Sequence, residues 1–222
     1  MLIFARTSAS LYAPQTLLIK PMNNIAAFIL AGGESRRMGA DKSQLLLDGE
    51  SFLERIAAEL AKVTKEIIVV GKPSASPVTT LKHVPDIYPK WGALGGVQTA
   101  LASCAAEWCL IVGCDFPFVT AELFARLASL RKGFQAVAPV QHDGIPQPLC
   151  GIYQTEPCLE LAEELINSGE RKPVALLQSV RTRWVPFAEI EDLPGAERFF
   201  DNINTPGDYE RIVKEGEVKR RA

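Results

Sequence analysis

Two short apolar runs, Ile25–Leu30 and Trp108–Gly113, carry no polar alternation. Runs of this length, rich in branched and aromatic residues and followed or closed by glycine, predict strands buried on both faces. Glu66–Gly71, Leu81–Val84, Gln135–Pro139 and Pro148–Tyr153 predict further strands. Between these runs the pattern turns helical. Ser51 with Glu54 three residues on forms a capping box, and Phe52, Ile56, Leu60 and Val63 follow at helical spacing. Gly92–Ser103 holds the small and apolar residues of a helix packed closely on a sheet. Thr120 predicts another cap, with Leu123, Phe124 and Leu127 on the buried face behind it. Alternation of this kind predicts an α/β fold, a mostly parallel twisted sheet with helices on both faces. Ligands of such sheets bind beyond the carboxyl ends of the strands, so functional residues are expected just after strands.

The 222 residues suffice for one such domain with a substantial core, and there is no repeat or low-complexity linker. Residues 23–215 are expected to form it. Residues 1–22 read as a poorly ordered extension, with Met22 as an alternative start, and 216–222 as a basic tail. The net charge of −2, from 24 cations and 26 anions, speaks against a nucleic-acid partner, which wants a basic surface. No apolar stretch reaches membrane-spanning length, and residues 1–21 lack the long apolar core of a secretory signal. Five cysteines, an odd count with no C-x-x-C pair, argue against a disulfide framework or a zinc site and fit a reducing, cytoplasmic setting. With only His83 and His142, there is little material for histidine-based catalysis.

The candidate chemistry follows the strands as that rule demands. Ile25–Leu30 runs into Ala31-Gly32-Gly33, where the backbone can turn sharply and approach a ligand. Arg36, Arg37 and Lys42 come next, so the segment suits a polyphosphate held by backbone N–H groups and cations. The spacing matches neither a Walker A loop nor a dinucleotide fingerprint, and a plain glycine turn with surface cations has the same local pattern. Asp115 follows the second long run. A carboxylate at a strand mouth needs a partner or a metal, and magnesium favours one or two carboxylates plus substrate phosphates; a helix-capping Asp is the simpler alternative. Asp86 precedes the run Gly92, Leu94, Gly95, Gly96, and reads either as a turn residue or as part of a pocket for a base or sugar. Asn202 and Asn204 fall on one side of an extended segment, and Thr205-Pro206 reads as cap and first residue of the last helix.

The segment L-A-G-G-E-S-R-R-M-G-A-D-K, Leu30–Lys42, strongly resembles the opening signature of nucleotidyltransferases, and its L-A-G-G form resembles the molybdenum cofactor guanylyltransferases. C-D-F-P-F-V around Asp115, D-I-Y-P-K-W-G-A-L-G-G from Asp86 and F-D-N-I-N-T-P near the end match that family in order, over about residues 25–213. The resemblance implies a Rossmann-like nucleotidyltransferase fold. It implies that Leu30, Ala31, Gly32, Gly33, Lys42, Asp86, Gly92, Leu94 and Asp115 line the nucleotide, and that Lys42, Arg37 and Asp115 are catalytic. Asp115 would hold Mg²⁺, while Gln147, Asn202 and Asn204 would face the acceptor. Arg171 matches a basic family position less closely and also fits a solvated helix-end cation. One departure is Gly71, where the family often has Asn.

The implied reaction is attack by the terminal phosphate of molybdopterin cofactor on the α-phosphorus of GTP, releasing pyrophosphate. A phosphate monoester is mostly ionised near neutral pH and needs no strong base. Other cofactor-biosynthesis proteins or client molybdoenzymes are the implied protein partners. A molybdopterin cytidylyltransferase, another small-molecule nucleotidyltransferase or a non-catalytic cofactor carrier are the alternatives.

Overall fold

The computed structural model describes residues 21–31, 45–71, 81–203 and 205–221. The expectations for residues 1–20 of the N-terminal extension, for Gly32, Gly33, Arg36, Arg37 and Lys42, and for Asn204 lie outside the described residues, while Met22 donates its N–H to Val63 O at 2.8 Å. A seven-stranded sheet forms the centre, in the order β5-β4-β1-β6-β8-β7-β9. Its strands are β1 (Ile25–Leu30), β4 (Ile67–Val70), β5 (Lys82–Val84), β6 (Trp108–Gly113), β7 (Ala136–Pro139), β8 (Cys150–Gln154) and β9 (Thr182–Val185). A separate hairpin joins β2 (Leu46–Leu47) to β3 (Glu50–Ser51). The helices are α1 (Phe52–Ala61), α2 (Ala93–Ala102), α3 (Ala121–Ser129), α4 (Thr155–Asn167), α5 (Pro173–Ser179) and α6 (Pro206–Arg221).

All six residues of β1 and all six of β6 are buried, which is why neither run alternates. Side chains of β1 nevertheless divide by parity. Ile25, Ala27 and Ile29 pack with α1 and α3, whereas Ala26, Phe28 and Leu30 pack with α2, α4 and α5. The sheet therefore carries a hydrophobic layer on each face. The expected caps are present: Ser51 and Glu54 close the reciprocal box on α1, and the Thr120 hydroxyl accepts from Leu123 N on α3. Glu59 of α1 accepts from Ala121 N, 2.9 Å away, tying the two helices on that face together.

β8 is the only strand of this sheet, among the described residues, to run against its neighbours. It pairs antiparallel with both β6 and β7, while β1–β4, β4–β5, β1–β6 and β7–β9 pair parallel. Its beginning therefore lies at the edge where β1, β4 and β6 end. The last helix starts at Pro206 as expected, behind a Thr205–Asp208 box of reciprocal bonds at 2.9 and 3.2 Å. It runs to Arg221, through most of the segment read above as a tail. Among the described residues, no helix is long and apolar enough to cross a membrane.

Candidate active site at the carboxyl edge

The carboxyl ends of four strands and the start of β8 meet in register. Ala31 N donates to Val70 O at 3.0 Å, Gly71 N to Val84 O at 3.0 Å, Cys114 N to Leu30 O at 3.1 Å and Gly113 N to Leu149 O at 2.8 Å. These bonds use up the last backbone groups of the sheet and bring Ala31, Gly71, Asp115 and the Pro146–Leu149 turn to one edge. Gly71 adopts a φ of 124°, a conformation that an asparagine at this point would not readily take.

Asp115 is the best-anchored polar residue there. A Cβ placed on Gly113 would lie 2.5 Å from Asp115 Oδ1, so the carboxylate folds back over its own strand end. Asn202 faces it with its amide; two acceptors there require the nitrogen on that side, and so turned it donates to Oδ2 at 3.0 Å and to the Asp115 carbonyl oxygen at 3.2 Å. Ile203 N donates to the same carbonyl at 3.3 Å. The Ile203 side chain is buried with Leu47, Phe52 and Ile212, which pins the segment from behind. A second brace comes from Arg198, whose guanidinium stacks 3.6 Å from the Phe118 ring centroid and whose Nε lies 3.2 Å from Asp201. Phe116 is buried and meets Phe200 edge-on, at 6.5 Å between centroids. The turn that presents Asp115 is thus clamped to residues 198–203, a support no local sequence signal announces.

Asp86 spends Oδ1 on structure, accepting from Tyr88 N at 2.9 Å and from the Thr99 hydroxyl at 3.2 Å. Thr99 in turn accepts from Ile87 N, so the turn and α2 are locked together. The glycines behind it set how closely that helix approaches the sheet. A Cβ on Gly95 would stand 3.0 Å from both Tyr88 O and Trp91 Cβ, and one on Gly96 would stand 3.3 Å from Leu30 Cδ1. Gly92, at φ 80° and ψ −158°, has a conformation open almost only to glycine, and α2 begins there without a side-chain cap. The first-turn N–H groups of α2 can therefore serve an anion at this edge. Leu94 is fully buried in the core, so only its backbone is available to a ligand. Leu30, also buried, is the floor beneath Gly96.

Gln147 is buried at the reversed strand's entrance. Its N–H donates to Pro139 O at 2.9 Å, and its carbonyl accepts from Cys150 N at 3.1 Å. Arg171 flanks the Gly92 turn. Its guanidinium covers the Trp91 ring at 4.7 Å and donates to Lys90 O, while Trp91 Nε1 donates to Glu170 O at 2.8 Å. Backbone N–H groups of Lys172 and Arg171 lower the pKa of the exposed Glu170 carboxyl. The structure thus joins Asp115 to Asn202, and Arg171 to the Gly92 turn.

Solved nucleotidyltransferases share this α/β fold. A cytidylyltransferase from Thermus thermophilus, titled 2-C-methyl-D-erythritol 4-phosphate cytidylyltransferase, shares the fold at TM-score 0.63 and 18% identity, over 88% of this chain and 100% of that one. Molybdopterin-guanine dinucleotide biosynthesis protein A from Archaeoglobus fulgidus superposes with TM-score 0.73 at 24% identity, covering 89% of this chain and 100% of the other. A family model described as the MobA-like NTP transferase domain matches residues 27–183, and the chain belongs to that nucleotidyltransferase family. Among its relatives, a probable molybdenum cofactor guanylyltransferase of Pelotomaculum thermopropionicum is 34% identical over 81% of this chain and 87% of its own length. A relative of the same name from Geobacillus is 31% identical, over 86% of this chain and 100% of its own length.

Proposed function

We propose that the chain transfers GMP from GTP to the terminal phosphate of molybdopterin cofactor, giving the guanine dinucleotide form and pyrophosphate, with Mg²⁺ as the metal. The observation that carries the reading is the Asp115 carboxylate, held over Gly113 and braced by Asn202 at the strand edge. The guanylyltransferase names of relatives that match over most of their length support the choice of base and acceptor.

Among the described residues, no group of three or more His, Cys, Asp or Glu side chains could hold a metal. A single carboxylate suits magnesium, which keeps waters and substrate phosphates as its other ligands, and does not suit zinc. Asp115 is the residue that would hold it. When bound, the metal neutralises phosphate charge and helps the pyrophosphate leave.

The chain's own groups do the remainder. The first turn of α2 and the backbone at Gly32 and Gly33 supply N–H donors to the nucleotide. Lys42 and Arg37 offset the charge that grows on the α-phosphate and the leaving pyrophosphate. Arg36 belongs to the same basic loop. Asp86 keeps the Tyr88–Gly92 turn shaped around base or sugar. Gln147, Asn202 and Asn204 align the acceptor phosphate opposite the leaving group. No residue has to remove a proton, because the attacking phosphate is already ionised.

Gly71 favours one competing reading, a cytidylyltransferase of the same fold, since it replaces a residue with which the family meets base or ribose. Pyrophosphate release with Mg²⁺ and molybdopterin cofactor, compared for GTP, CTP and ATP, separates the two. GTP-selective, acceptor-dependent release supports the proposal. Preference for CTP overturns the base assignment, and tight GTP binding without release under any condition overturns catalysis.

A further inference from the structure

The amino edge of the sheet, opposite Asp115, carries a cleft of about 560 Å³. Strand ends meet there in register. Trp108 N donates to Asn24 O at 3.1 Å, Gln154 N to Gln135 O at 2.7 Å and Gln135 N to Arg181 O at 2.8 Å. The lining is basic, with Arg131, Lys132 and Arg181 set against one carboxylate, Glu107. Glu107 already accepts from Asn24 Nδ2 at 3.2 Å. Among the described residues, none of the three cations forms an ion pair. Acids outnumber cations 26 to 24 in the chain, so a cleft with three unpaired cations is not a consequence of overall charge. The cations are also held in place. Phe134 N donates to Arg131 O at 3.0 Å and closes the turn that carries Lys132. Arg181 N donates to Gln135 Oε1 at 3.0 Å. The Arg131 guanidinium lies 5.8 Å from the centroid of the buried Trp108 ring and donates to Ala128 O at the end of α3. Stacking and that bond fix its plane over the cleft.

We propose that this cleft is a second binding site, for a compact polyphosphate anion of the di- or triphosphate class. Like charges that share one cleft repel, and an anion between them relieves that repulsion. The guanidinium forks of Arg131 and Arg181 match pairs of phosphate oxygens, and the exposed Lys132 ammonium adds a point charge that can follow the ligand. The volume lies within the roughly 300–1,000 Å³ of small-molecule pockets, which favours a small polyanion over an extended acidic polypeptide. Two sources share this chemistry, free inorganic polyphosphate and the triphosphate tail of a nucleotide. The site is independent of the transfer reaction proposed above, because it uses none of the carboxyl-edge residues.

The test is reductive methylation of lysines on the full chain, mapped by mass, with inorganic tripolyphosphate and GTP as separate probes. Tripolyphosphate is expected to slow labelling of Lys132 at least about fivefold, and to leave the exposed Lys214 on α6 unchanged. Arg181→Ala should raise the concentration for half-protection about tenfold, and Arg181→Lys, which keeps the charge but loses the fork, by less. Protection by tripolyphosphate alone supports the site with free polyphosphate as its ligand; protection by GTP as well supports it with a nucleotide tail. Lys132 labelled at an unchanged rate with both probes overturns the proposal. So does equal slowing by sodium chloride at matched ionic strength, or half-protection in Arg181→Ala at the wild-type concentration. Protection by a poly-glutamate peptide but by neither phosphate probe also overturns it, and makes the cleft a docking surface for an acidic polypeptide. The wild-type map decides the matter even if a variant does not fold.

Discussion

The two halves of the sheet supply their edge residues in opposite ways. In β5-β4-β1-β6 every strand runs the same way, and Ala31, Gly71 and Asp115 leave from strand ends. Across the β6–β8 boundary the direction reverses, and Gln147 stands just before a strand begins. The first half holds its groups with glycine turns and the start of α2. In the second, a buried turn supplies the support, and the 198–203 segment braces Asp115 where the halves meet. Under the proposed function the nucleotide would belong to the parallel half and the acceptor to the reversed one, with Asp115 at the seam. Substitutions on either side of that seam should therefore affect different substrates.

The largest effect is expected at the seam itself. Asp115→Ala should lower turnover by at least about 10³-fold, roughly 4 kcal/mol of transition-state stabilisation. Its thermal unfolding should stay close to wild type, and wild-type-like turnover would remove the metal role. Lys42→Ala should cost about 10²-fold in kcat/KM in steady-state assays; unchanged kinetics would move the cationic role to Arg36 or Arg37. Gly95→Ala presses a methyl to 3.0 Å from Tyr88 O and Trp91 Cβ, so α2 has to shift. It should raise the nucleotide KM about tenfold and leave the acceptor KM unchanged, with a stability loss of about 1–3 kcal/mol in denaturant titrations. Gln147→Ala should do the reverse, raising the acceptor KM several-fold at constant nucleotide KM. If both variants moved the same KM, the division of the sheet would be wrong. Thr205→Ala should be the mildest, costing about 1 kcal/mol of stability through the lost cap on α6.

What the sequence shows of this molecule is uneven for physical reasons. β1 and β6 are legible because burial on both faces enforces an unbroken apolar run, and Ser51, Thr120 and Thr205 mark helix starts because capping is local chemistry. Asp115 is legible by its place after a strand. The direction of β8 is not, since an apolar run such as Cys150–Tyr153 reads the same either way. The reading above also left out α4, α5, β9 and the β2–β3 hairpin. Thr182–Val185 is a mixed run with an arginine at its centre, and each hairpin strand has only two residues. The contact of Asn202 with Asp115, and the stacking of Arg198 on Phe118, join residues some eighty positions apart. Only the fold brings them together. Asp86 shows the converse: its turn role and its proposed pocket role hold together, because the bonds to Tyr88 and Thr99 shape the turn that the pocket would use.

The central claim is transfer of a nucleotidyl group, not a phosphoryl group, across the carboxyl edge. Labelled GTP tests it most directly. With label in the α-phosphate, the account predicts that the label enters the acceptor product; with label in the γ-phosphate, it appears only in pyrophosphate. Label from the γ-phosphate on the acceptor, or α-label that never leaves free nucleotide in the presence of acceptor, would contradict it.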